Sequence, residues 1–175
     1  MGGDISYKSY YLAKERIRKM NALIVYYSLF KTTENLALEI AILTGGELRE
    51  LVPEKNYSFD YNTAAKEVRS QIARGYCPPL VTGNESIDAF DTIFIGSPNW
   101  FATFAPPVLS FLRRHNFSGK TIVPFCAHGG GGFGQMEADI AKECPGCHLL
   151  PGFDTNGAAQ TEEIEAWLRG VGVET

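Results

Sequence analysis

Three short stretches carry residue types whose spacing suits the binding of a flat molecule with an anionic tail. The first is Ser28 to Thr33 (SLFKTT), which sets three hydroxyls and a lysine between an apolar β-branched run, Leu23-Ile24-Val25, and a helical pattern. The N–H groups of a helix's first turn have no partner inside the helix, and the helix dipole adds positive potential there, so such a junction attracts anions. An ordinary cap needs a single Ser or Thr. Ser28, Thr32, Thr33 and Lys31 together therefore read as a cradle for an anion, with a plain capped turn as the competing reading.

The second stretch is Ser97-Pro98-Asn99-Trp100-Phe101. Trp100 and Phe101 on a loop would expose apolar surface unless something flat covers them or they fold back into the core. Asn99 offers both an amide donor and an acceptor. The third stretch, His128 to Gly134 (HGGGGFG), places Gly129, Gly130, Gly131 and Gly134 where the main chain can approach a ligand closely or take unusual φ values. A slack linker is the alternative, but long slack between elements of a compact domain is uncommon. His128 reads either as a ligand contact or as a hydrogen-bonded structural residue; His115 and His148 read as structural.

Other chemistries find less support. There is no G-x-S-x-G nucleophile elbow and no pair of carboxylates placed for hydrolysis, so no catalytic residue is assigned. Gly129 to Gly134 matches G-x-G-x-x-G by letter, but it follows the wrong strand, and no acidic residue is placed for a ribose. Cys144-Pro-Gly-Cys147 has no second C-x-x-C or H-x-x-x-H partner, so it reads as a turn with packed sulfurs and no metal is assigned.

The elements that must position these stretches alternate. Apolar runs predict strands over 21–27, 47–52, 92–97, 120–126 and 147–150, with Pro124 awkward inside the fourth. Helical periodicity predicts helices over 33–44 (Leu36, Ile40, Leu43), 63–74, 105–115 and 134–143, and a C-terminal one carrying Ile164, Trp167, Leu168 and Val171. Gly45-Gly46 suits the end of the first helix. Five strands alternating with helices imply an α/β fold, one parallel sheet with helices on both faces. In such a sheet, ligands bind beyond the carboxyl ends of the strands, where all three stretches lie.

The 175 residues suit one domain over 21–175, preceded by an extension over 1–20 that includes a short basic helix from Tyr10 to Met20. A net charge of −4 argues against nucleic acid, and no run reaches the length of a membrane span. The first twenty residues lack a signal peptide's apolar core, so a reducing, cytoplasmic location without disulfides is expected.

The three stretches resemble the flavodoxin family: Y-x-S-x-x-x-x-T at Tyr26 to Thr33, P-x-W at Pro98 to Trp100, and H-G-G-x-G-F-G at His128 to Gly134. The segment PEKNYSFDY at 53–61 is similar to one that relatives carry after their second strand. The resemblance implies a three-layer sandwich with strand order 2-1-3-4-5 and non-covalent FMN, its phosphate held by Ser28 and Thr33. It places Pro98, Asn99 and Trp100 along the isoalloxazine and Gly129, Gly130 and Gly131 on its other side. It also implies electron transfer with a redox partner protein or a small acceptor such as a quinone, the protein being either a carrier or an FMN-dependent oxidoreductase. One departure stands out. Relatives have Thr-Gly-Asn where this chain has Phe30-Lys31-Thr32, so a hydroxyl is lost and Lys31 replaces a glycine of positive φ, at a cost of about 1 kcal/mol. A flavodoxin-fold interaction protein that has lost FMN is the alternative.

Overall fold

The structure is a computed structural model that describes Tyr7 and residues 20–173. The basic helix expected from Tyr10 onward lies outside the described residues.

At the centre runs β1 (Ala22–Tyr26), buried along its whole length, as expected of an apolar strand covered on both faces. It pairs in parallel with β2 (Glu47–Glu50) on one side and β3 (Thr92–Pro98) on the other. Next to β3 lies β4 (Thr121–His128), and beyond it β5 (His148–Leu149), giving the order β2-β1-β3-β4-β5 with β6 (Phe153–Asn156) also on β4. The helices are α1 (Thr32–Thr44), α2 (Tyr61–Arg74), α3 (Pro106–Arg114), α4 (Met136–Glu143) and α5 (Thr161–Gly170). Val68 of α2, Val108 of α3 and Ile140 of α4 share one core with Leu23, Val25 and Ile93; Leu36 of α1 and Ile164 of α5 share the other with Ile24, Tyr26 and Phe94. This is the three-layer α/β sandwich expected from the alternation of elements.

Two boundaries differ in a way that matters for the site. β3 runs on to Pro98 and β4 to His128, so both reach the edge where the glycine-rich stretch begins. The fifth strand, expected over 147–150, is broken: β5 pairs with Thr121 and Ile122, β6 resumes opposite Phe125, and 150–152 intervene. Pro124 supplies the reason. A Cβ on Gly152 would lie 2.8 Å from the Pro124 carbonyl oxygen, so that carbonyl faces the fifth strand. In a strand the N–H points to the same side, and Pro124 has none to give; the neighbour bulges where the ladder fails.

α1 ends as expected at Gly45, whose φ of 65° lets its N–H close onto the Ala41 carbonyl. Its buried face is wider than a stripe through Leu36, Ile40 and Leu43. Ala37, Leu38 and Ala41 are buried too, because the helix lies between the sheet and α5, whereas Leu43 is only partly buried.

Candidate functional site

The first stretch turns from β1 into α1 without a side-chain cap. α2 shows what a capped start looks like here: Asp60 Oδ1 accepts from Thr63 N at 2.9 Å and from Thr63 Oγ1 at 2.6 Å. α5 has a capping contact as well, Glu163 Oε2 accepting from Gln160 N at 3.0 Å. At α1, the last backbone donor before the gap is Tyr27 N, to Gly96 O, and the first after it is Asn35 N, to Lys31 O. Among the described residues, no N–H from Ser28 to Glu34, and no hydroxyl of Ser28, Thr32 or Thr33, has a hydrogen-bond partner. Thr33 is almost fully buried as a residue, yet no buried side-chain oxygen among the described residues lacks a partner, so its free hydroxyl is the part that reaches solvent. A capped turn does not leave a whole loop of donors free, whereas an anion cradle does.

Lys31 is held in the left-handed region that favours glycine, φ 64° and ψ −7°, and it is the residue from which α1 starts. Its side chain is 79% exposed and reaches Glu34 Oε1 at 3.8 Å. Among the described residues, the non-glycine positions with positive φ are Lys31, Phe101 and Ala102. Lys31 and Phe101 fall in the first two stretches, and Ala102 directly follows the second. Backbone strain of about 1–3 kcal/mol per residue persists only where the surroundings enforce it, and it gathers at ligand sites. Phe30 points outward, 60% exposed, its ring centroid 6.1 Å from that of Phe59. The acidic side of the loop is formed by Glu34 and by Glu50 at the end of β2, where partial burial and then the charge of Glu34 raise the Glu50 carboxyl above its ordinary range.

In the second stretch, the two rings part ways. Trp100 turns inward and is only partly exposed, edge-on to Tyr27 (5.4 Å, 75°) and to Tyr57 (5.2 Å, 86°). Phe101 turns outward, 39% exposed, with the Arg69 guanidinium 4.7 Å over its ring. Phe101 is thus the more exposed of the two rings, and Trp100, partly exposed, packs on Tyr27 and Tyr57. Ser97 is fully buried and its hydroxyl is taken internally: it donates to Pro98 O and accepts from Ala105 N, both at 2.8 Å, fixing the entry to α3. Asn99 ties the second stretch to the third. Its Nδ2 donates to Gly132 O at 2.5 Å, and its Oδ1 accepts from Ala102 N at 2.9 Å.

The third stretch is anchored at its start by His128. Nδ1 accepts from Gly130 N and Nε2 meets Asp154 Oδ2, both at 2.9 Å, so each ring nitrogen has a partner inside the protein. His128 thus holds the glycine loop, and Asp154 of β6 holds His128. No motif marks Asp154 in the sequence, and β6 itself went unread. A Cβ on Gly129 or Gly130 would meet nothing within 4 Å, so this wall faces open space. Gly134 has another reason to be glycine: a Cβ would lie 2.5 Å from the Ala102 carbonyl oxygen, where the second and third loops cross.

Cys144 and Cys147 are free thiols joined by a turn, Cys147 N donating to Cys144 O at 3.2 Å. Burial pushes the Cys144 thiol up to about 12, so it is protonated at neutral pH and a poor nucleophile. Among the described residues, no helix is long and apolar enough to cross a membrane.

Comparison with known proteins agrees with this geometry. The sequence pattern of the flavodoxin family matches residues 21–171. A candidate flavoprotein from Bacteroides eggerthii has a similar structure, with a TM-score of 0.79 and 27% identity, covering 87% of this chain and 98% of its own. One from Bacteroides uniformis is similar at a TM-score of 0.78 and 26% identity, over 87% and 99%. A Lactobacillus acidophilus flavoprotein solved in complex with FMN shares the fold, with a TM-score of 0.66 and 22% identity over 86% and 99%. No curated protein matches the chain significantly.

Proposed function

The chain belongs to the flavodoxin family, and from that premise we propose that it binds FMN non-covalently and passes electrons to a partner protein or a small acceptor. The observation that carries the reading is the uncapped start of α1, where the N–H groups from Ser28 to Glu34 and the hydroxyls of Ser28, Thr32 and Thr33 lack partners among the described residues. A phosphate monoester, with three acceptor oxygens and up to two charges, suits such a set of donors.

Ser28, Thr32 and Thr33 would hold the phosphate, with Lys31 adding a solvent-facing charge. Phe101, backed by Trp100, and the open face of Gly129 and Gly130 would border the ring system. His128 and Asn99 act one step back, fixing the glycine loop and tying it to the loop that carries Phe101. FMN, when bound, supplies the one- and two-electron chemistry. The protein's part is to hold the phosphate, fix the two walls and limit access of water, so no catalytic side chain is required. Loss of FMN through Phe30 and Lys31 is the weaker reading. Phe30 is exposed, and Lys31 takes the positive φ that a glycine at this place would readily adopt.

The test is the visible spectrum and cofactor mass of the purified protein, with FMN titrated into apoprotein. Flavin absorbance with one equivalent of FMN supports the reading; failure of the apoprotein to take up FMN rejects it.

A further inference from the structure

We propose that the hollow between α2, α3 and α4 binds a free α-amino acid with an apolar side chain, gripped as a zwitterion by Asp139 and Lys142. None of its lining residues belongs to the three stretches above, so the proposal does not rest on the flavin reading.

The hollow has a volume of about 250 Å³. Its floor is apolar: Phe104, Pro106 and Leu109 are buried, and Ile72 packs partly against the same core. Two braces span it. At one end Arg113 of α3 donates to both carboxylate oxygens of Glu143 of α4 at 2.9 Å, and to Gly75 O at the end of α2 at 3.1 Å. At the other, Thr103 Oγ1, just before α3, donates to Asp139 Oδ2 of α4 at 2.5 Å. The space is thus braced by the fold and is not slack packing. An apolar cavity of about 150 Å³ accommodates benzene, so this one has room for a branched chain or a ring with a short head group.

Charge selects the occupant. The ionic groups lining the hollow are two of each sign, Arg113 and Lys142 against Asp139 and Glu143. Arg113 and Glu143 satisfy each other. Asp139 keeps Oδ1, and Lys142 its whole ammonium, without a hydrogen bond or ion pair among the described residues, and the two do not pair with one another. They stand three residues apart on α4, so their side chains leave one face with Cβ atoms about 5–6 Å apart. That spacing suits an ammonium and a carboxylate carried on neighbouring atoms. A cationic guest would meet Lys142, an anionic one Asp139, and an uncharged one would leave both ions unpaired beside an apolar floor. A zwitterion engages both, its ammonium on Asp139, its carboxylate on Lys142 and its side chain across Ile72, Phe104 and Leu109. Thr103 already orients the Asp139 carboxylate, so half of the grip is set before binding.

The experiment titrates the full chain with L-phenylalanine and follows methyl and ring NMR signals. Saturable shifts are expected at Ile72, Phe104 and Leu109. N-acetyl-L-phenylalanine, which lacks the ammonium, and L-phenylalaninamide, which lacks the carboxylate, should each bind about fivefold or more less tightly. Asp139→Asn keeps an acceptor for Thr103 and Lys142→Gln alters an exposed side chain, so neither threatens the fold. Each should weaken phenylalanine about fivefold or more. Asp139→Asn should also cease to distinguish phenylalanine from its N-acetyl form, and Lys142→Gln should cease to distinguish it from the amide. The proposal is overturned by the absence of saturable binding up to the solubility of the ligand, by shifts outside the hollow, or by equal binding of the three compounds to wild type. Loss of FMN affinity in either variant would make the hollow part of the cofactor site and overturn it too.

Discussion

Replacing Lys31 with glycine separates two effects that the sequence alone runs together. The residue holds φ 64° at the start of α1, and that strain is assigned to the fold itself, as the turn from β1 into α1 demands it. Relieving it should then raise stability without tightening FMN. An L residue in this region costs about 1–2 kcal/mol. Glycine gives back about 0.5–1 kcal/mol through its freer unfolded chain. The ion pair to Glu34, at 3.8 Å with the lysine 79% exposed, is a surface contact of at most a few tenths of a kcal/mol. The net gain is roughly 0.5 kcal/mol, or about 1–2 °C in melting temperature for a domain of this size. Binding should change only through the lost cation. Exposed and shared with Glu34, that charge is worth about 0.5–1 kcal/mol to a phosphate, a two- to fivefold loss that shrinks as salt is added. Thermal melts of the apoprotein and FMN titrations at low and high salt measure both quantities. A lower melting temperature, or tighter FMN binding in the variant, would refute the reasoning.

Trp100→Ala should destabilise the fold by about 3 kcal/mol in denaturant melts, because it removes an aromatic anchor that touches Tyr27 and Tyr57. Phe101→Ala should spare stability and instead weaken FMN by about 1–3 kcal/mol, with shifted redox potentials. Replacing Cys144 and Cys147 with alanine should leave flavin reduction by an external donor unchanged in stopped-flow traces, since the buried thiol is not a thiolate at neutral pH. Glu143→Gln should cost about 1 kcal/mol near pH 7, because Arg113 binds that carboxylate through two contacts of 2.9 Å. Arg113 lowers the Glu143 pKa, so this stability exists above the ordinary carboxylate range and is lost as pH falls through the depressed value. The gap between variant and wild type in pH-dependent melts should close there.

The parts of this molecule legible in its sequence are those written in local pattern. β1, β3 and β4 announce themselves as apolar runs, and Gly45 marks the end of α1. The positive φ at Lys31 was legible because the motif shows which residue it displaces. What escaped depends on residues far apart in the chain. The break in the fifth strand is caused by Pro124 on its neighbour, and β6, two of whose four residues are Asp154 and Asn156, carries little strand pattern. Whether Trp100 or Phe101 faces outward is decided by positive φ at Phe101 and Ala102, two residue types that give no hint of it. His128 was legible as an interesting residue but not as a brace, because its partner Asp154 lies on that unread strand.

The central claim is that Ser28 to Thr33 grips a phosphate, and comparing FMN with riboflavin on wild type and Thr33→Ala tests it most directly. Riboflavin carries the same ring and no phosphate. Losing a hydroxyl bonded to a charged group costs about 1.5–3 kcal/mol, so Thr33→Ala should bind FMN about 10- to 150-fold less tightly, while riboflavin affinity stays nearly the same. Equal losses for the two ligands, or wild-type protein that does not prefer FMN to riboflavin, would contradict the cradle.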